Sequence, residues 1–109
     1  MTFREYQKAA LESAIYPNKG QNIFYPALGL CGESGEIAEK VKKVFRDQGG
    51  ALTSDNRDAL RKEIGDVLWY CAAMAYECDL NLDDIACLNI EKLSSRKERG
   101  VLSGSGDDR

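Results

Sequence analysis

Proline occurs only at Pro17 and Pro26, and no stretch alternates β-branched with polar residues as a half-buried strand does. A chain without strand signal, and without breakers over most of its length, is restricted to helices joined by short loops. The first helix is expected from about Thr2 to Tyr16, with Thr2 as N-cap, Glu5 completing a capping box, and Phe3, Tyr6, Ala10 and Ile15 facing inward. The second runs from about Pro26 to Arg46 and stops at Asp47, Gln48 and the glycine pair Gly49 and Gly50. The third follows Thr53, Ser54 or Asp55 and reaches about Cys78; the fourth follows Asn81 or Asp83 and reaches about Arg99. The predicted fold is therefore all-α. It has four helices with an antiparallel central hairpin, one domain over residues 1–102, a Gly/Ser/Asp-rich tail over 103–109, and a bundle completed by dimerisation.

A length of 109 residues allows one hydrophobic core, so one site is sought. A net charge of -3 with both signs interspersed excludes a polycationic binder of long nucleic acid. No apolar run reaches the roughly 18 residues of a membrane span, and the start MTFREYQKAALES lacks the basic-then-apolar order of a secretory signal; a cytoplasmic location is expected. Cys31, Cys71, Cys78 and Cys87 form no C-x-x-C pair, sit among residues of helical, apolar character and are expected as buried free thiols. Histidine is absent, which removes His-based general bases, catalytic triads and most zinc sites. Any hydrolytic chemistry must rest on carboxylates, lysines or a metal.

Two acid pairs stand out, Glu33-Ser-Gly-Glu36 and Glu63-Ile-Gly-Asp66, each at the i, i+3 spacing that shares a helix face. On a wheel of about 100° per residue, the second helix's stripe of Leu30, Ile37, Val41 and Val44 leaves Glu33 and Glu36 about 60° and 120° to one side. The third helix's stripe of Leu60, Ile64, Val67 and Cys71 leaves Glu63 and Asp66 at the same offsets. Only antiparallel packing brings the two flanks to the same side of the interface, and the short connection between the helices favours that hairpin. Four converging carboxylates repel one another unless a cation neutralises them, and an oxygen-only set suits Mg²⁺, or Mn²⁺ in its place. Magnesium bridging to phosphate suits phosphoanhydride hydrolysis by an activated water. The plain alternative is that these acids are solvated and paired with Lys40, Lys43, Arg61 or Lys62. Gly29, Gly32 and Gly35 also need a reason within a helix, and their spacing points to close approach by another backbone or a ligand.

At these residues the chain resembles the MazG-like branch of the all-α nucleoside triphosphate pyrophosphohydrolases. The resemblance rests on LGLCGESGEIAEKVKK with EIGDVLWY, joined by Tyr6 and Gln7 near the start and NIEKLSSRKERG near the end. It implies hydrolysis of a nucleoside triphosphate between the α and β phosphates, giving monophosphate and pyrophosphate, with Glu33, Glu36, Glu63 and Asp66 as Mg²⁺ ligands and one of the glutamates also orienting water. It also implies a homodimer or dimer of dimers.

In the fourth helix, Ile85 and Leu88 begin a stripe that continues as Asn89, Lys92, Arg96 and Arg99, so one face turns from apolar to cationic. Such a face suits phosphate oxygens, and the resemblance implies substrate contact at Lys92 and Arg96, with Asn89 on the same stripe; complementing the helix dipole is the alternative. On the third helix, Trp69, Ala72, Ala73 and Tyr76 form a second apolar face, for which a subunit interface is the expected cover. Gln7 and Asn22 are weighed as base-edge readers against ordinary surface residues, and the tail as frayed or folded over something. Two rivals to the enzymatic reading stand: a non-catalytic helical interaction module, and the same fold selective for dUTP, dCTP or phosphoribosyl-ATP.

Overall fold

A computed structural model describes residues 1–109 as four helices without strands: α1 (Phe3–Glu12), α2 (Phe24–Gln48), α3 (Ser54–Glu77) and α4 (Leu82–Glu98). The starts of three helices follow from their caps. Thr2 and Glu5 form the anticipated reciprocal box on α1, Thr53 does the same with Asn56 on α3, and Asn81 caps α4 by accepting from the Asp83 N–H. Helix α2 begins two residues before Pro26 because the Asn22 side-chain oxygen accepts from the N–H groups of Phe24 and Tyr25, both at 3.1 Å. It ends where Gly49 adopts φ 60°, a left-handed conformation that costs a residue without Cβ nothing.

Helix α1 stops at Glu12, short of the expected Tyr16. The Ser13 hydroxyl donates to the Ala10 carbonyl at 2.7 Å, the Trp69 indole N–H donates to the same carbonyl at 3.1 Å, and Lys19 Nζ donates to the Leu11 carbonyl at 2.7 Å. With the last carbonyls of α1 thus engaged, the chain leaves the helix, and Ile15, expected on its inward face, is instead 94% exposed.

The central pair is antiparallel. Gly29 lies against Tyr70, Lys40 pairs with Glu63, and Val44 shares a cleft with Asn56 and Leu60, so α3 numbers fall as α2 numbers rise. Tyr70 is the close approach that Gly29 accommodates, since a Cβ there would stand 2.6 Å from Tyr70 Cδ1 and closer to Cε1 and Cζ. Gly32 and Gly35 meet nothing within 4 Å, so the chain supplies no contact that requires them.

Small side chains build the core. Ala10, Leu11 and Ala14 pack against Ala72, Ala73, Ala75 and Leu82, with Tyr6, Trp69 and Cys71 around them. Trp69, Ala72 and Ala73 of α3's second face are thus covered within the same chain, where the sequence suggested another subunit, while Tyr76 of that face stays 42% exposed. The expected seam stripes also divide: Val44 is buried, whereas Val41 and Ile64 are open to solvent.

Gln7 ties α1 to the α3–α4 junction, donating to the Ala72 and Leu80 carbonyls and accepting from the Leu82 N–H at 3.0 Å. From there α4 departs, touching α1 and α3 but not α2, and exposing Leu88 and Ile90. A radius of gyration of 16.7 Å exceeds the roughly 13 Å of a closed domain of this length. Only 11 of 109 residues are buried, so one chain leaves much of its apolar surface in water. No helix is long and apolar enough to cross a membrane. All four cysteines are free, but not buried as expected: Cys31, Cys78 and Cys87 are exposed and Cys71 is partly covered.

Candidate functional site

Glu33 on α2 and Glu63 and Asp66 on α3 converge across the seam, each offering a carboxylate oxygen such that all three oxygens lie within 4.8 Å of one another. The Gly29–Tyr70 contact lies one helical turn away on both helices, four residues before Glu33 and four after Asp66, so it sets the interhelical gap at the acids. Glu36, expected with these three, stands exposed outside the trio. Its charge is nevertheless felt by both Glu33 and Lys40.

Desolvation first, then the charges of Asp66 and Glu63, push the Glu33 carboxyl above its ordinary range. One positive charge reaches the group: Lys40 Nζ lies 3.1 Å from Glu63 Oε1, and that bond holds the lysine above its ordinary pKa. Three acids with one half-exposed lysine remain net negative. A hard divalent cation fits this oxygen-only donor set, whose own repulsion it would relieve.

An aromatic chain borders the acids. Tyr16 stacks on Tyr25 with centroids 4.8 Å apart, Tyr25 leans on Tyr70, and Trp69 stands edge-on to both Tyr70 and Tyr16. Ser13, Trp69 and Tyr70 join Glu33 and Asp66 in lining a cleft of about 320 Å³.

Glu77, which the sequence did not single out, anchors the far end of this aromatic chain. Its carboxylate accepts from the Tyr16 hydroxyl at 2.6 Å and from the backbone N–H groups of Gly20 at 2.8 Å and Asn22 at 2.6 Å. Desolvation opposes the charge, but these hydrogen bonds outweigh it and hold Glu77 below its ordinary range, while burial and the Glu77 bond push Tyr16 well above its own. No local pattern announces such a residue, because its donors lie 55 to 61 positions away.

The remaining candidates lie elsewhere. Asn89 and Lys92 are exposed on α4, which does not meet α2. Arg96 is 5% exposed, with Nη2 donating to the Gly106 and Asp107 carbonyls and Nε buried without a partner. The tail folds back over Arg96, held further by Arg99 donating to the Arg109 carbonyl and by Arg109 donating to those of Val101, Leu102 and Gly106. Gln7 and Asn22, weighed as base readers or surface residues, are structural clasps whose amide groups bond to backbone partners within the chain.

Residues 26–101, which contain both acid pairs and the whole of α4, match the MazG nucleotide pyrophosphohydrolase domain. Gene 37 protein of Mycobacterium phage L5 is 50% identical over 109 aligned residues, covering 95% of this chain and 96% of that protein. No solved structure matches the chain. With the domain spanning the hairpin that gathers Glu33, Glu63 and Asp66, the chain belongs to the MazG nucleotide pyrophosphohydrolase family.

Proposed function

We propose that this chain hydrolyses nucleoside triphosphates, deoxynucleotides or noncanonical nucleotides among them, between the α and β phosphates, with a divalent cation, Mg²⁺ or Mn²⁺, held at the seam. The observation that carries the reading is the convergence of Glu33, Glu63 and Asp66 from two helices in a chain of this family. A bound cation would neutralise the carboxylates, draw in phosphate oxygens and make a water more acidic. The chain's own part is to hold these groups in register through the Gly29–Tyr70 contact and to take up a proton. Water oxygen bonds to the α phosphorus, the bond to the bridging oxygen breaks, and the electron pair leaves with pyrophosphate. Glu36, outside the trio yet within electrostatic reach of it, accepts the water's proton.

The cations of α4 belong to the same proposal through a second copy of the chain, in a homodimer or dimer of dimers. Helix α4 carries Asn89, Lys92 and Arg96 away from the chain's own acids, and the uncovered apolar surface gives association a driving force. Residues 1–102 form the working domain, with 103–109 covering Arg96 until substrate arrives. The reading places the enzyme in the cytoplasm, where its substrates are.

The test is a panel of nucleoside triphosphates with Mg²⁺, read as pyrophosphate release by the parent, Glu36→Gln and Asp66→Asn. Both variants are expected to lose at least about 100-fold in rate, the lower end for a general base or a charge-stabilising group. Glu36→Gln should keep its metal affinity and Asp66→Asn should not. Equal release by all three proteins would favour a non-catalytic helical module instead. Turnover confined to dUTP, dCTP or phosphoribosyl-ATP would narrow the substrate within the same fold.

A further inference from the structure

The acid trio is flanked along the α2–α3 seam by two clefts of opposite chemistry. Toward the Gly29–Tyr70 contact lies the aromatic cleft of Ser13, Trp69 and Tyr70. Toward the interhelical turn lies a second, of about 270 Å³, lined by Lys40, Lys43, Val44, Asn56, Ala59 and Leu60. Lys40 belongs to both neighbourhoods, lining this cleft while its Nζ reaches back to Glu63 at 3.1 Å. Lys43 is loosely held, 3.6 Å from Glu39, a carboxylate that Lys42 already engages at 2.8 Å. Asn56 uses its oxygen on the cap of α3, which leaves its amide nitrogen as the group it can offer.

A triphosphate whose α phosphorus sits at the acids must send its nucleoside one way along the seam and its β and γ phosphates the other. The aromatic cleft has flat apolar walls and, besides the acids themselves, no charge. The other cleft carries two ammonium groups and a free amide donor, which suit a leaving group of several negative charges that the acids would otherwise repel. Resting on the functional reading above, we infer that Lys40 and Lys43 seat the departing pyrophosphate, so that the nucleotide lies with its nucleoside toward Trp69 and Tyr70. Lys40 holds Glu63 when the site is empty and turns to phosphate when a divalent cation takes over that carboxylate.

The test is calorimetric titration of the full chain with inorganic pyrophosphate and Mg²⁺, and separately with dAMP, for the parent, Lys40→Met and Lys43→Met. Each variant is expected to bind pyrophosphate about tenfold more weakly, the loss of one charge-assisted bond, with dAMP affinity within about twofold of the parent. Lys40→Met should bind Mn²⁺ no less tightly than the parent, because its removal frees Glu63. Lys43 is exposed, so its variant is expected to fold whatever Lys40→Met does. Unchanged pyrophosphate affinity in Lys43→Met, equal weakening toward dAMP, or no pyrophosphate binding by the parent would each overturn the assignment. Turnover by the parent alongside any of these results would leave the functional reading standing. A parent that releases no pyrophosphate from any nucleotide, yet binds pyrophosphate through these lysines, would remove that reading instead.

Discussion

Replacing Gly29 by alanine adds one methyl group at the narrowest point of the α2–α3 seam. In an open helix the change favours folding by about 1 kcal/mol. Here the new Cβ would stand 2.6 Å from Tyr70 Cδ1 and nearer still to two other ring atoms. The ring cannot simply swing away, because Trp69 stands edge-on to it at 5.0 Å and Tyr25 lies at 6.4 Å on another side. Overpacking of this kind costs about 1–3 kcal/mol, and rigid neighbours argue for the upper half of that range. The net expectation is a loss of about 1–2 kcal/mol, or about 4–8 °C in thermal midpoint per kcal/mol for a domain near this size. Gly32→Ala is the control, since nothing approaches within 4 Å, and the chain alone should gain up to about 1 kcal/mol. Urea denaturation at low protein concentration measures both. Because the contact sits one turn from Glu33 and Asp66, Gly29→Ala should also weaken Mn²⁺ binding by spreading the acids. A Gly29→Ala midpoint equal to or above the parent's would refute the claim that this glycine sets the gap.

The other expectations concern the loop, the acids and the surface. Glu77 is held below its ordinary range in the folded chain, so its stabilising contribution is complete above the unfolded value of about 4.3 and is lost as pH falls through the lower folded value. Glu77→Gln should unfold about 1–3 kcal/mol more easily at neutral pH, having lost a charged acceptor of three bonds, and its melting should depend less on acid; equal acid sensitivity in both proteins would exclude Glu77 as the cause. Mg²⁺ or Mn²⁺ at a hundredfold excess over Kd should stabilise the parent by about 2.7 kcal/mol in thermal melts, and Glu63→Gln or Asp66→Asn should lose that gain. The thermal midpoint should rise with protein concentration, as association covers Leu88, Ile90 and the other open apolar residues; sedimentation as a monomer at all concentrations would count against it.

The parts of this architecture that depend on nearby residues were legible in the sequence. The capping box at Thr2 and Glu5, the glycine stop after α2 and the antiparallel hairpin all follow from neighbours a few positions apart. Where the reading missed, a distant group had intervened. Helix α1 ends early because Trp69 and Lys19 take its last carbonyls, and Ala72 and Ala73 of α3 are covered by Ala10 and Leu11 of α1 and by Ala14 just beyond it. Wheel offsets put the acids beside an apolar seam, but Ile64 of that seam faces solvent while Glu63 bonds across it to Lys40. An i, i+3 spacing fixes which acids share a face, yet not which rotamers converge; Glu33, Glu63 and Asp66 meet and Glu36 does not. Arg96 reads as a free cation in sequence because nothing there shows the tail turning back over it.

The chain has a single tryptophan, and the fold sets Trp69 in the wall of the cleft that Glu33 and Asp66 also line, edge-on to Tyr70. Its indole N–H is fixed by Ala10 and Ser13, which gives it one defined environment. Intrinsic fluorescence therefore supplies an unlabelled optical signal at the acids. Arrival of a cation or a base beside Tyr70 should alter the emission of this one indole, and the same emission should move to the red when α1 peels from α3, so that occupancy and integrity are recorded by one chromophore.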